Sequence, residues 1–312
     1  MNDNYERFPS NIFKPTTIED DYKYFLARFS NLYDLYEYLK SDPWLNRSVF
    51  RELASIDGEK DFAGKPYAEA VEDLIKNEYN PGYTEFVRLN NGLENCINVP
   101  VHKYKTVMTL AGGHLNIPAY SVGNPLCYET EERITKPKFV SINALLNYSY
   151  RISKSQVFNR AVIMTNILKA LENAGYGIDL NVFSLLRDYD EYMHIVIKIK
   201  NYGEKLNMIS LYKTLCNVEF LRRIIFRVME TIEVESSWGF GYGNVCYEDE
   251  VVSVLKLNKN DIFFGPPDSL GIHGKDLGDD FARAIEYLKL DDKIDVDKAK
   301  SEFKNKVRKL TI

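Results

Sequence analysis

Between Phe139 and Glu230 the apolar positions change period in a definite order: strand, helix, hairpin, helix. Phe139 to Leu146 is a mostly apolar run, which predicts a central strand buried on both faces. Ser155 is the predicted N-cap of a helix over about 156–173, with Val157, Ala161, Met164, Leu168 and Leu171 on one face. Gly175 ends it, where a left-handed residue is easily adopted. Ile178 to Leu186 predicts a strand in which Ile178, Leu180 and Val182 alternate with Asp179 and Asn181. After the polar turn Arg187 to Glu191, Tyr192 to Lys200 predicts a second strand with Met193, Ile195, Ile197 and Ile199 on one side. The short connection makes this pair an antiparallel hairpin. Helices over about 208–216 and 218–233 follow, with Leu221, Ile225 and Val228 inward.

The flanks carry weaker patterns. Residues 1–20 read as a loose N-terminal arm, anchored by Tyr5, Phe8 and Phe13. Residues 21–110 read as a helical region. Tyr22, Phe25, Phe29, Leu32, Tyr36 and Leu39 recur at three and four, and Ser41-Asp42-Pro43 ends that stripe. A second helix is predicted over about 67–77 behind Pro66, and a third over about 83–89 after the turn Asn80-Pro81-Gly82. Residues 111–138, rich in glycine and proline at their start, read as a shaped connecting loop. Beyond the glycine–aromatic loop Trp238 to Gly243, strands are predicted at 251–257 and 261–264, then helices at 279–290 and 296–310. The fold class is therefore α/β. A doubly wound, mostly parallel sheet with an antiparallel edge hairpin occupies 139–290, and a C-terminal helix occupies 291–312.

Composition narrows function by exclusion. A net charge of −5 opposes coating of nucleic acid by bulk charge, though it leaves a local basic patch open. With 22 Tyr and 17 Phe the chain is rich in residues suited to binding surfaces, a bias that AT-rich codon usage also produces. Cys96, Cys127, Cys216 and Cys246 form no CxxC pair, so neither a structural zinc nor another cofactor is implied. Scattered thiols, a polar N-terminus and the lack of a long apolar run fit a cytoplasmic protein with no membrane anchor.

The candidate motifs are incomplete as catalytic centres. Gly239 to Gly243 lacks the lysine and hydroxyl of a phosphate loop, and Glu248, Asp249 and Glu250 follow it. Gly112-Gly113-His114 could approach a ligand closely, and His114 is the histidine best placed for chemistry. Arg222, Arg223 and Arg227 make a basic strip that suits an acidic partner or a solvated face. Asp179 and Lys198 lie on the hairpin strands, but Val196 stands where a nuclease motif needs an acid.

Two resemblances arise from these residues. The strand–helix–hairpin–helix order is similar to the first half of a von Willebrand factor A-like domain. The metal motif of that fold corresponds here to Asn147-Tyr148-Ser149-Tyr150-Arg151, in which Asn and Arg replace an Asp and a Ser, so the resemblance implies a lost metal site. From about Phe62 to Gly243 the chain resembles an uncharacterised family of bacteriophage-encoded proteins. The residues concerned are Gly64-x-x-Tyr67-x-x-Ala70, Tyr79-x-x-Gly82, Ala111-Gly112-Gly113 and Ile117-Pro118-Ala119-Tyr120. Gly123-x-Pro125, Leu171-Glu172-x-Ala174-Gly175-Tyr176, Leu221-Arg222-Arg223 and Gly241-Tyr242-Gly243 complete the set. That likeness implies a viral origin and transfers no catalytic residues.

The reading that results is a non-catalytic binding protein engaging a host or viral protein complex, as in host takeover or counter-defence. Its expected surface joins His114, Arg222, Arg223 and Arg227 with Trp238, Phe240 and Tyr242, since aromatics and arginines dominate interface energies. The alternatives are a nucleic-acid- or nucleotide-processing enzyme and a structural virion component. Nothing in the pattern sets an oligomeric state.

Overall fold

A computed structural model describes residues 12–18, 22–41, 64–76, 80–97, 104–133, 138–188, 191–231, 246, 248–255, 257, 261–288 and 295–310. Strands β1 (Ile12–Ile18) and β2 (Tyr22–Phe29) come first, then helices α1 (Leu32–Lys40), α2 (Tyr67–Asp73) and α3 (Pro81–Gly92). A small unit follows, made of β3 (Tyr104–Thr109), β4 (His114–Leu115), α4 (Ile117–Ser121) and β5 (Tyr128–Arg133). The centre is β6 (Lys138–Leu145), α5 (Lys154–Asn173), β7 (Tyr176–Asp188) and β8 (Glu191–Lys200). Helix α6 (Met208–Leu211) runs into two π-helical turns, Tyr212–Cys216 and Phe220–Ile225, and then α7 (Phe226–Thr231). The remainder is α8 (Glu248–Leu255), β9 (Ile262–Phe264), α9 (Leu277–Tyr287) and α10 (Val296–Leu310).

Six strands form one sheet in the order β1-β2-β8-β7-β6-β9, and three form another in the order β3-β5-β4. In the larger sheet β2–β8, β6–β7 and β6–β9 are parallel, while β1–β2 and β7–β8 are antiparallel. The mixed α/β class matches the hydrophobic pattern. The β7–β8 hairpin, however, lies inside the sheet, because β2 joins β8 along Lys23–Phe29; the edge hairpin is β1–β2.

Two expected elements are therefore corrected at the N-terminus. Residues 12–18 are a strand rather than part of a loose arm, and 22–29 are a strand rather than helix. Phe25, Ala27 and Phe29 are buried at every second position, so the same residues satisfy a strand once β8 offers a partner. The helix begins only at Leu32, where the Asn31 side chain accepts from the Asp34 amide at 2.9 Å. The segment 111–138 is not wholly a loop, since it contributes β4, α4 and β5. Residues 248–255 are helix α8 instead of a strand. Val251, Val254 and Leu255, spaced three and four apart, pack on Leu145, Phe183 and Leu185 of the sheet.

The core follows from alternation along the strands. Val140, Ile142 and Ala144 of β6, Ile178, Leu180 and Val182 of β7, and Met193, Ile195 and Ile197 of β8 are all buried against the helices. Strand β6 is buried along one face and, on the other, only at its end: Phe139 is exposed, Ser141 and Asn143 are half-buried, and Leu145 is buried under α8. On that second face the Asn181 amide donates to Asn143 Oδ1 at 3.2 Å, and Lys198 Nζ pairs with Asp179 at 2.6 Å. Helix α5 is buried on most of its surface, enclosed by the sheet, α3, α9 and the first π turn. Its N-cap is Ser153 in a capping box with Gln156, two residues before the expected Ser155.

His194 stands on the second face, edge-on to Phe183 with ring centroids 5.7 Å apart. Burial, aided by the Arg28 charge, pushes its imidazole down to about 3. The folded protein therefore holds His194 neutral where the unfolded chain, titrating near 6.5, is charged. Stability from this source is full above pH 6.5 and falls as pH drops toward 3. Between pH 7 and 5 the loss is about 2 kcal/mol. Urea unfolding at both pH values is expected to show that loss in the native chain and a much smaller one in His194→Leu.

Candidate functional site

The three-stranded unit carries His114. Strand β5 lies between β3 and β4, with His114 opposite Glu129 and Leu115 opposite Tyr128. The turn before β4 requires glycine. Gly113 has φ +46°, and a Cβ there would sit 1.8 Å from the Glu129 carbonyl oxygen. Asn116 ties the unit together: its backbone N–H donates to Cys127 O at 2.7 Å, and its side-chain oxygen caps α4 at the Ala119 amide. The Asn116 amide also donates to Glu129 Oε1 at 2.5 Å. His114 itself is exposed, and no acid–base partner other than Glu129 stands opposite it in the strand pairing.

Around this rigid frame the apolar side chains point outward. Leu110, Leu115, Ile117, Tyr120, Val122 and Leu126 are all exposed, half of the large exposed apolar side chains among the described residues. Ile117 is 71%, Tyr120 64% and Val122 81% exposed. Residues 106–130 contain no Lys or Arg, and Glu129 is their sole acid. The glycines and prolines of this span were legible as a shaped segment. The cluster of apolar side chains among them was the overlooked signal.

The arginine strip is not a solvated face. Arg222 and Arg227 are only 8% and 7% exposed. The Arg222 guanidinium lies 5.3 Å from the Tyr148 ring centroid and donates to Ile152 O at 3.4 Å. Arg223 Nε donates to Lys65 O at 3.2 Å. Arg222 and Arg223 belong to the π turn Phe220–Ile225, and Arg227 lies in the α7 turn that follows it. Trp238, Phe240 and Tyr242 lie outside the described residues.

A second site lies where sequence reasoning found none. A cleft of about 700 Å³ opens between the loop before α2, the start of α3, the first two turns of α5 and the π-helical segment. Phe158, Tyr212 and Val218 give it apolar walls; Lys65, Lys154, Ser155 and Glu219 give it polar groups. Two glycines shape it. A Cβ on Gly64, which has φ +73°, would meet Glu219 Oε2 at 2.4 Å, and one on Gly82 would meet Tyr212 Oη at the same distance. Tyr212 donates to Asn80 Oδ1 at 2.9 Å, and burial pushes its hydroxyl up to about 12. Burial raises the Glu219 carboxyl above the usual carboxylate range against the pull of Lys65 and Lys154. Burial also pushes the Cys216 thiol well up, which leaves it unreactive at neutral pH. The only hints in sequence were Gly64, Pro66 and Gly82, since π turns leave no pattern of their own.

The side chains of Asn147 and Ser149 bond to the backbone. Asn147 is buried, and its Oδ1 accepts from the Leu185 amide at 3.0 Å. Ser149 Oγ accepts from the Arg151 amide at 3.3 Å.

The family profile described as a domain of unknown function, DUF7192, matches residues 10–293. The chain belongs to this family. No curated protein and no solved structure matches it. In this DUF7192 chain both the small sheet and the cleft fall inside the matched region. No helix among its described residues is long and apolar enough to cross a membrane.

Proposed function

We propose that the chain is a non-catalytic binding protein that engages a host or viral protein complex through the β3–β5 unit. The supporting observation is the set of six exposed apolar side chains held on one hydrogen-bonded frame. An apolar patch of this kind marks an interaction site, because water contact with it is unfavourable. Its chemistry favours protein over the other macromolecules. Nucleic acid and anionic bilayers are drawn by Lys and Arg; residues 106–130 have neither, and the unit's Lys105 and Arg133 are outnumbered by Glu129, Glu131 and Glu132. Tyr120 adds a flat anchor with a polar tip, and the exposed His114 lies in the same unit. The resemblance to phage-encoded proteins supports a host or viral complex as the partner, with counter-defence as one role.

The test is affinity capture with the triple variant Ile117→Asp, Tyr120→Asp, Val122→Asp. These side chains are exposed, so its melting temperature is expected to match the native chain. Capture of a reproducible protein partner is expected to fall at least about tenfold, as for loss of a central interface anchor. Undiminished capture would sink this reading. So would native-chain binding to anionic vesicles, or dimerisation of the native chain, that the triple variant abolishes with no other protein bound.

A further inference from the structure

We infer that the cleft bounded by Gly64, Phe158, Tyr212 and Glu219 is a small-molecule site for a nucleoside monophosphate. This is independent of the β3–β5 surface. The cleft's volume of about 700 Å³ falls within the range of ligand pockets and exceeds that of packing defects. Its walls combine two aromatic rings with a small convergent set of polar groups. Phe158 is half-buried; it meets Phe86 edge-on at 6.3 Å and also lines the cleft. Tyr212 is fixed by its hydrogen bond to Asn80 and by edge-on contact with Tyr83 at 5.5 Å. Two rings held in this way suit stacking or edge contact with a flat heterocycle.

The polar groups divide by charge. Lys154 and Ser155 come from the first turn of α5, a 20-residue helix whose N-terminal dipole reinforces the Lys154 charge. Together they suit a phosphate. Lys65 lines the same cleft and pairs with Asp73, which fixes its position. Glu219 offers a carboxyl to the N–H donors of a base. Its burial is the second sign of a site, because a solvated surface would leave that carboxyl in its ordinary range. The π-helical turns on either side of Asn217-Val218-Glu219 are the third. Such winding is rare, and it commonly marks places where a helix presents side chains to a ligand. Replacing Gly64 or Gly82 would push a Cβ into Glu219 or Tyr212, so both glycines preserve this arrangement of the walls.

The experiment is isothermal titration of the full chain with AMP, GMP, CMP and UMP, beside the matching nucleosides, ribose 5-phosphate and inorganic phosphate. At least one nucleotide is expected to bind one-to-one with Kd below about 100 µM. Lys154→Glu and Phe158→Ala are each expected to weaken it about tenfold or more. Phe158→Leu replaces Phe158→Ala should the latter fail to fold. Glu219→Gln is expected to change the ranking of the bases by about fivefold while phosphate dependence persists. The inference is overturned if no nucleotide binds by about 1 mM, or if both substitutions leave affinity unchanged. It is equally overturned if a nucleoside, ribose 5-phosphate or inorganic phosphate binds as tightly as the best nucleotide.

Discussion

Replacing Arg160 with alanine is expected to lower stability by about 4 kcal/mol. The side chain is buried in α5, yet none of its hydrogen bonds goes to a carboxylate. Nε donates to Gly265 O at 2.8 Å; Nη2 donates to Leu145 O at 2.8 Å and to Phe264 O at 3.0 Å. These three carbonyls end the parallel strands β6 and β9, where the ladder can no longer satisfy them. One planar fork thus closes the carboxyl edge of two strands, the place where ligands commonly sit in doubly wound sheets. Burial lowers the guanidinium to about 10, so it is still charged at neutral pH and donates fully. Alanine would leave three carbonyls unpaired beside a cavity. Lysine would not rescue it, because an ammonium cannot present that fork. Thermal unfolding of Arg160→Ala and Arg160→Lys checks this, with a fall of roughly 10 °C expected for alanine. A fall of only a degree or two in both would mean that solvent reaches those strand ends.

Arg160 also shows why the fold was only partly legible. In sequence it interrupts a helix face as an ordinary charged residue, and nothing local reveals three strand carbonyls from distant segments. Elements whose pattern had one solution were recovered. The β7–β8 hairpin has Ile178, Leu180, Val182, Met193, Ile195 and Ile197 in strict alternation, and α10 spans Val296–Leu310 as its stripe predicts. Elements whose pattern had two solutions were decided by tertiary partners. Phe25 and Phe29 fit a helix stripe and a strand face equally, and β8 selected the strand. Val251 to Leu255 is rich in β-branched residues, yet the open apolar half of the sheet selected a helix. The candidate site was harder still. His114 was singled out because glycines flag a shaped turn. Glu219 was missed because its environment is assembled from four segments separated by long stretches of chain.

Asp280→Ala is expected to cost about 3–5 kcal/mol, because this carboxylate holds together elements that flank the cleft. Asp280 is fully buried at the start of α9 and accepts from four donors. These are the His273 amide at 2.8 Å, the Gly274 amide at 2.9 Å, Asn159 Nδ2 at 2.8 Å and Arg283 Nη2 at 2.5 Å. One carboxylate therefore holds the 272–274 loop, α9 and the second turn of α5 together. Removal takes the shared acceptor from two amides, an Asn and an Arg, and leaves a hole where the fully buried carboxylate sat. Asp280→Asn keeps one oxygen but turns an NH₂ toward donors, so about 2 kcal/mol is expected. The loop packs on the cleft wall. Gln156 Nε2 donates to Ile272 O at 2.8 Å, and a Cβ on Gly274 would meet Ser155 Oγ at 2.6 Å. Loosening the loop consequently frees Ser155 and Asn159, both of which line the cleft. Urea unfolding gives the stability change, and amide hydrogen exchange over 272–276 gives its location. The Asn variant, still folded, is expected to show faster exchange there and unchanged exchange in β7 and β8. Exchange that accelerates uniformly across the sheet instead would show that Asp280 serves global stability and has no particular hold on the cleft.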